Sequence, residues 1–318
     1  MAFPSPVLPP PASPSPVPYR SGKNRALVIA LAALVVAFAL PLMDLVRLST
    51  QSDLFSHIIL IPFVSVYLVW LRRGELPAPS APDRRFVIGA AAGGVVALAA
   101  YAYLTRSGAV LAREDRLALL IFAFFAFVIG ACAAFLGRRT LVALSFPLGF
   151  LVFLVPFPLA VIDAIETFFQ HTSAVAAAGF FSIAGTPFFR EDTFFQLPGI
   201  NLEVAPECSG IRSSLALFIT SLVAGQLFLR SAWKRVILVL VIVPLGIVRN
   251  GLRIFVIGEL CVRISPEMID SYIHRQGGPI FFALSLIPFS LFLFLLVRSD
   301  RAKTPLAAIV PSPAPSAH

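Results

Sequence analysis

Three side chains that could carry acyl-transfer chemistry lie at the ends of apolar segments. Cys208 lies in the stretch VAPECSGIR, residues 204–212, and Arg253 and His274 follow it along the chain. A thiolate can attack a peptide carbonyl to give a thioester, a histidine can hold or deliver the proton, and an arginine can stabilise the thiolate or the oxyanion. These residue types fit nucleophilic catalysis by cysteine, provided that the fold brings them together.

The residues next to Cys208 act on its sulfur in opposite directions. Ser209 and Gly210 directly precede an apolar run, so the sulfur is expected near the positive end of a helix, which favours the thiolate. Glu207 opposes that effect, and Arg212 can offset Glu207. This balance leaves open whether Cys208 is a nucleophile or only a small residue in a loop.

Two arginines lie deep in an apolar segment, GIVRNGLRIFVIG at residues 246–258. A helix that starts at Val236 and rises about 1.5 Å per residue carries Arg253 about 26 Å across the bilayer. The spacing i, i+1, i+4 places Arg249 and Arg253 on one helix face with Asn250 beside them. Arginines at that depth must be paired or face a polar cavity. Alternatively, Arg249 could extend to the outer headgroups.

The composition indicates an integral membrane protein. Of the 318 residues, 58% are hydrophobic and 13% are charged, whereas soluble domains carry about 25% charged residues. Most apolar runs reach the roughly 18 residues that cross a bilayer, which predicts an all-α, polytopic bundle of about eight transmembrane helices. The predicted spans are residues 26–43, 56–71, 86–104, 117–136, 140–157, 211–229, 236–258 and 279–297.

The net charge of +9 comes from short basic clusters between the apolar runs. Such clusters mark cytoplasmic loops, so both termini are expected inside and Cys208, Arg253 and His274 at the outer face. No basic stripe alternates with aromatic residues, which argues against binding of nucleic acid. The expected contact surface is the lipid bilayer.

Two segments are not assigned to spans. Residues 159–190 are apolar with one polar helical face, and a crossing here would break the alternation of loops, so we predict an interfacial or re-entrant helix on the outer side. That polar face contains Asp163, Glu166, Gln170 and His171. Residues 188–210 alternate apolar and polar side chains with Pro and Gly breaks, which predicts a short irregular or β-like outer segment before the cysteine.

The ends of the chain and its other cysteines have simpler interpretations. Residues 1–25, which begin with a Pro-rich tract, and 299–318 are predicted to be disordered cytoplasmic termini, leaving one transmembrane domain at 26–298. Cys132 and Cys261 lie in apolar runs, where cysteine is usually a small hydrophobe. Three scattered cysteines give neither a disulfide framework nor a zinc site, so we expect no metal and no cofactor.

Several motifs resemble the exosortase/archaeosortase family. They are ECSGIR at 207–212, NGLR at 250–253, HRQGG beginning at His274, and SHIILIPFVSVYLVWLRR at 56–73. The resemblance covers roughly residues 26–298 and implies a membrane-embedded cysteine transpeptidase. It implies that Cys208 is the nucleophile, Arg253 the catalytic arginine and His274 the third member. A histidine where archaeal relatives have a second arginine implies a bacterial exosortase of the cytoplasmic (inner) membrane.

The resemblance also implies the partners. Such enzymes act on exported proteins with a C-terminal sorting signal, in which a short motif such as Pro-Glu-Pro precedes a transmembrane helix and a basic tail. They transfer the cleaved protein to an acceptor nucleophile, whose identity is open here. The residues expected to bind substrate or support the site are Glu207, Ser209, Gly210, Arg212, Arg249 and Asn250.

Other functions stay open. Water could replace the acceptor, which would make the enzyme a hydrolase. Arg249, Asn250 and Arg253 could instead line the anion path of a transporter, although no inverted repeat supports that fold. The chain could also be a non-catalytic assembly factor for polysaccharide export. Loss of function on replacing Cys208 alone would argue against the last two.

Overall fold

The computed structural model describes residues 21–77, 80–205, 209–270 and 277–301. Glu207, Cys208 and His274 therefore lie outside the described residues, as do 1–20 and 302–318 of the two termini. The chain divides into two compact units, the first ending at Pro158 and the second beginning at Leu159.

The first unit is built from α-helices joined by short turns. Its helices are α1 (Ser21–Ala37), α2 (Ala39–Gln51), α3 (Leu60–Leu71), α4 (Arg84–Arg106), α5 (Arg113–Ala143) and α6 (Ser145–Phe150). Short 3-10 helices cover Asp53–Ile59, Arg73–Glu75 and Leu151–Leu154. Helix α1 begins ahead of Ala26, where the first apolar run starts.

A close pair of helices organises this unit. Helices α4 and α5 pack together, and a Cβ added at Gly94 would lie 2.9 Å from the ring of Phe127. Phe38, Ala97 and Phe124 form a buried cluster beside this contact. The small residues of α4 thus let aromatic side chains of α5 pack directly against the helix backbone.

The second unit combines helices with a small sheet. Its elements are α7 (Leu159–Ala184), β1 (Phe189–Glu191), β2 (Phe194–Leu197), β3 (Ile200–Glu203), α8 (Ile211–Phe228), α9 (Ala232–Leu240), α10 (Ile242–Arg263) and α11 (Gly278–Arg301). A 3-10 helix covers Pro266–Asp270. The strands form an antiparallel sheet of order β1-β2-β3, with Phe195 opposite Leu202. The predicted extended segment is therefore confirmed.

Alternate residues of the sheet form part of the core of the second unit. Phe195, Leu197 and Leu202 are buried, and they cluster with Phe181 of α7 and Ile254 of α10. Period-two alternation places these side chains on one face of the strands. The sheet is thereby held against α7 and α10, directly before the chain reaches the cysteine motif.

Helices α7 and α10 pack along each other through glycines of α10. A Cβ added at Gly251 would lie 2.6 Å from the Cβ of Ala176, so the two backbones approach very closely there. Because the contacting residues increase in number together on both helices, α7 and α10 run in the same direction. The contacts pair Phe169 with Gly246, Ala176 with Gly251, and Phe181 with Gly258.

Six helices of the described residues are each long and apolar enough to cross a membrane. They are Asp53–Leu71, Arg84–Arg106, Arg113–Ala143, Ile211–Phe228, Ala232–Arg263 and Gly278–Asp300. Two pairs meet the same criteria only when taken together, Arg25–Ala37 with Ala39–Gln51, and Ser145–Leu154 with Leu159–Ala184. The prediction of an all-α polytopic protein with about eight spans is confirmed.

The predicted spans 26–43 and 140–157 are not single helices. Helix α1 ends before Phe38, where the axis bends by 69° into α2, and Pro41 lies in the first turn of α2, a position that tolerates proline. The range 140–157 contains the end of α5, all of α6 and a 3-10 turn. Pro156 and Pro158 follow, and their missing N–H groups end the helical segment.

The segment 159–190 contains one 26-residue helix, α7. Its packing along α10 uses the apolar and small residues, as expected for a helix with one polar face. The interfacial or re-entrant location of α7 on the outer side stays a prediction.

Candidate active site

The turn that follows Cys208 in the chain is buried in the second unit. Ser209 is fully buried, and Gly210, directly before α8, adopts a left-handed conformation with φ 77° and ψ 12°. A Cβ added at Gly210 would lie 2.9 Å from Cγ and Oδ1 of Asn250. Glycine therefore satisfies two requirements here, since it tolerates the positive φ and lets the start of α8 touch α10.

The carbonyl oxygen of Gly210 accepts several hydrogen bonds. The backbone N–H of Ser214 donates to it at 3.0 Å and the hydroxyl of Ser213 at 3.2 Å. Nη2 of Arg249 donates to the same oxygen at 3.0 Å. Convergence of helix, hydroxyl and guanidinium donors on one carbonyl fixes the first turn of α8 in place.

Arg249 is buried, with 5% of its surface exposed, and it connects α10 to α8. Besides Gly210, its Nη2 donates to Oγ of Ser214 at 3.0 Å. Its Nη1 is buried and has no hydrogen-bond partner among the described residues. The side chain thus turns into the second unit, and the alternative in which Arg249 extends to the headgroups is wrong.

The other predicted site residues of α8 and α10 differ in exposure. Asn250 is buried beside Arg249. Arg253 is half-buried one helical turn further along α10, about 6 Å by the helix rise. Arg212 is exposed on the first turn of α8. The structure therefore brings Ser209, Gly210, Arg249 and Asn250 together.

The remaining predicted members, Glu207, Cys208 and His274, lie outside the described residues. That these side chains lie next to Arg253 stays a prediction. Cys132 and Cys261 are both buried, as expected for cysteines that serve as small apolar residues.

Helix α7 contributes residues that the sequence did not assign to the site. The amide Nε2 of Gln170 donates to the carbonyl oxygen of Val204, and so ties α7 to the chain just before the cysteine motif. Ser173, one turn along α7, is fully buried. The polar periodicity of α7 is the signal that could have identified Gln170, but the same periodicity equally indicates a surface face.

Two further polar pairs lie near the sheet. Nδ1 of His171 lies 2.6 Å from Oδ1 of Asp192, on side chains that are 42% and 63% exposed. Thr186, just past α7, donates through its hydroxyl to Glu259 of α10. The first contact ties α7 to the turn between β1 and β2 and accounts for His171 without a role in the site. The second ties the segment after α7 to α10.

The fold and this polar turn define a class of protein, a multi-pass helical membrane protein with hydrogen-bonding residues buried where one helix begins. Residues 48–291 match the model of a family described as transmembrane exosortase (Exosortase_EpsH). Because the match covers more than half of the chain, the chain belongs to the transmembrane exosortase family, which confirms the resemblance noted in the sequence. No curated protein and no solved structure matches the chain.

Proposed function

We propose that this exosortase is a cysteine-dependent transpeptidase that cleaves the C-terminal sorting signal of exported proteins. The signal would be of the kind that family resemblance implies, with a short motif such as Pro-Glu-Pro, a transmembrane helix and a basic tail. The observation that carries the proposal is the buried turn directly after Cys208, in which Ser209 is buried and the carbonyl of Gly210 is held by Arg249. A nucleophile needs such a fixed support to meet its carbonyl.

The chemistry proceeds in two acyl transfers. The thiolate of Cys208 attacks the carbonyl carbon of the scissile peptide, and the electron pair of the C=O bond moves to oxygen. Collapse of that oxyanion breaks the C–N bond, and His274 delivers a proton to the leaving amine. The acceptor nucleophile then attacks the thioester and gives its proton to His274, the C–S bond breaks to release the Cys208 thiolate, and the new acyl bond forms.

The arginines and the helix start stabilise the charges that develop. Arg253 stabilises the thiolate or the oxyanion through its guanidinium. Ser209 and Gly210 hold the backbone that follows the nucleophile, and Asn250 packs against Gly210. The exposed Arg212 lies on the first turn of α8, where it offsets the charge of Glu207.

We place the reaction at the outer face of the bacterial cytoplasmic membrane, with both termini inside. The distribution of basic residues between the spans supports this orientation. A membrane-impermeant maleimide, applied to intact cells or spheroplasts that carry Cys208→Ala, should label Ser107→Cys in the predicted outer loop after α4, because Ser107 is exposed and its backbone is not left-handed. If that position is labelled only after lysis, the loop faces the cytoplasm and the proposed orientation is wrong.

Replacement of the nucleophile tests the proposed function. Cys208→Ala and Cys208→Ser should abolish processing of a reporter that carries the host's own sorting signal, because neither side chain supplies a thiolate. Cys132→Ala and Cys261→Ala are matched controls, since both thiols are buried in apolar surroundings, and they should process the reporter. Processing at the wild-type rate by both Cys208 variants would contradict the assignment.

The product separates transfer from hydrolysis. Mass spectrometry of the processed reporter should find its new C-terminus attached to an acceptor. A free carboxylate as the only product would make the enzyme a hydrolase.

A further inference from the structure

Two arginines of the second unit use their guanidinium groups differently. Arg235, near the start of α9, donates from Nε and Nη2 to the carbonyl of Leu229 and from Nη1 to the amide oxygen of Gln226. Nη2 of Arg249 donates to Gly210 and Ser214, whereas its buried Nη1 has no hydrogen-bond partner among the described residues. An arginine with a structural role alone is expected to resemble Arg235, since a buried unused donor costs free energy.

The orientation of the spare donor is fixed in advance. Nη2 of Arg249 contacts Gly210 O and Ser214 Oγ, both at 3.0 Å. A guanidinium is planar and rigid, so two bonds at Nη2 also set the direction of Nη1. Gly246 leaves room for the hydroxyl of Ser214, because a Cβ added at Gly246 would lie 2.7 Å from that oxygen.

The carbonyl that binds Arg249 belongs to a residue close in the chain to the proposed nucleophile. Gly210, whose carbonyl holds Arg249, is only two residues after Cys208, and two peptide units span at most about 7 Å. The hydroxyl of Ser173, also fully buried, likewise has no hydrogen-bond partner among the described residues.

Ser173 and Arg249 lie at the same level of the unit. Helix α7 runs parallel to α10, and Ser173 lies between the positions that contact Gly246 and Gly251. Arg249 lies between the same two glycines on α10. Two buried polar groups with unused hydrogen-bonding capacity thus occupy one layer of the α7–α10 pair.

We propose that Arg249 is a substrate-binding residue, and that its Nη1 donates a hydrogen bond to a backbone carbonyl oxygen of the peptide bound at Cys208. This inference rests on the proposed function and adds a role distinct from that of Arg253. Since Nη2 already fixes the guanidinium, Arg249 itself need not reorient on binding, and only the groups that cover its buried Nη1 must move aside. A bond made equally in the bound substrate and in the transition state changes KM more than kcat.

The test compares the same substitution at the two arginines. Purified variants are reconstituted in liposomes with a transmembrane reporter, and active enzyme is counted by titration of the Cys208 thiol. Arg249→Lys keeps the charge but loses the rigid fork, and we expect its KM to rise about 10- to 100-fold with kcat within a few-fold, the range for a hydrogen bond to a charged group. Arg235→Lys should leave KM unchanged.

The KM values of the variants decide whether Arg249 binds the substrate. A wild-type KM for Arg249→Lys, or an equal rise for Arg235→Lys, would overturn the inference. If Arg249→Lys does not fold, Ser214→Ala decides, because it loosens Nη2 without removing the guanidinium. We then expect a several-fold rise in KM, and an unchanged KM would refute the inference. Cys208→Ala runs in parallel, since equal processing by wild type and Cys208→Ala would show that the proposed function itself fails.

Discussion

Gly210→Ala tests whether the start of α8 is as tightly constrained as the structure indicates. The new methyl group meets two penalties. An L-residue at φ 77° is in the left-handed region, at a cost of roughly 1–2 kcal/mol. The Cβ would also lie 2.9 Å from Asn250 and 3.2 Å from Nη2 of Arg249, so a side chain or a helix must move.

Two other glycines of the second unit separate these penalties. Gly185 has φ 71° and nothing within 4 Å of an added Cβ, so Gly185→Ala imposes strain alone. Gly246 is helical, and its Cβ would lie 2.7 Å from Oγ of Ser214, so Gly246→Ala imposes crowding alone. Overpacking costs about 1–3 kcal/mol, so Gly210→Ala should lose about 2–5 kcal/mol, close to the sum of the two controls.

Equilibrium unfolding in mixed micelles measures these losses on the purified variants. Activity per folded molecule should fall in Gly210→Ala, because movement of Arg249 or Asn250 displaces the groups next to the cysteine. A free-energy loss for Gly210→Ala no greater than that for Gly185→Ala would refute the reasoning. It would mean that α8 and α10 are not in contact at this turn.

Two further substitutions test contacts in the second unit. Asp300→Asn removes the anion of a buried ion pair in which Nζ of Lys234 lies 3.1 Å from Oδ1, and should lower the free energy of unfolding. The double variant Lys234→Met, Asp300→Asn should recover part of that loss, because it removes the unpaired cation while an amide oxygen can still accept from the backbone N–H of Arg230. If Asp300→Asn is as stable as the wild type, the ion pair with Lys234 does not contribute to stability. Gln170→Ala should cost about 1 kcal/mol and slow reporter processing, because Val204 loses its donor, while Thr172→Ala on the same helix should do neither. Equal rates for both variants would exclude a role for Gln170.

Hydropathy predicted most of the spans because backbone groups in lipid must bond within their own helix, which requires long uninterrupted apolar runs. It failed where a run is long enough but the backbone breaks inside it. At Phe38 the break follows no local proline, and only Pro41 indicates that a new helix starts. Pro156 and Pro158 do signal the end of a helical segment in the sequence, but the length of the apolar run does not reveal it.

The candidate site could be predicted in part. Helical spacing predicts Arg249 and Arg253 on one face of α10 with Asn250 beside them, since that spacing is a local property. In the structure Arg249 and Asn250 are buried and Arg253 is half-buried. The partners of Arg249 lie 39 and 35 positions away on α8, and no local pattern indicates which helix packs there. The role of Gln170 cannot be predicted for the same reason. Its acceptor Val204 lies 34 positions away, after the three strands of the sheet.

The position of Arg249 depends on α7 as well as on α8. Gly251 and Gly258 let α7 pack so closely that α10 has no room to shift, since added methyl groups would lie 2.6 Å from Ala176 and 2.5 Å from Phe181. Functional groups must hold their geometry within about 0.5 Å. The close packing against α7 therefore restricts the movement of α10 and keeps Arg249 in position. Substitutions at Gly251 or Gly258 would shift α10 and displace Arg249, although no polar residue of the site is changed.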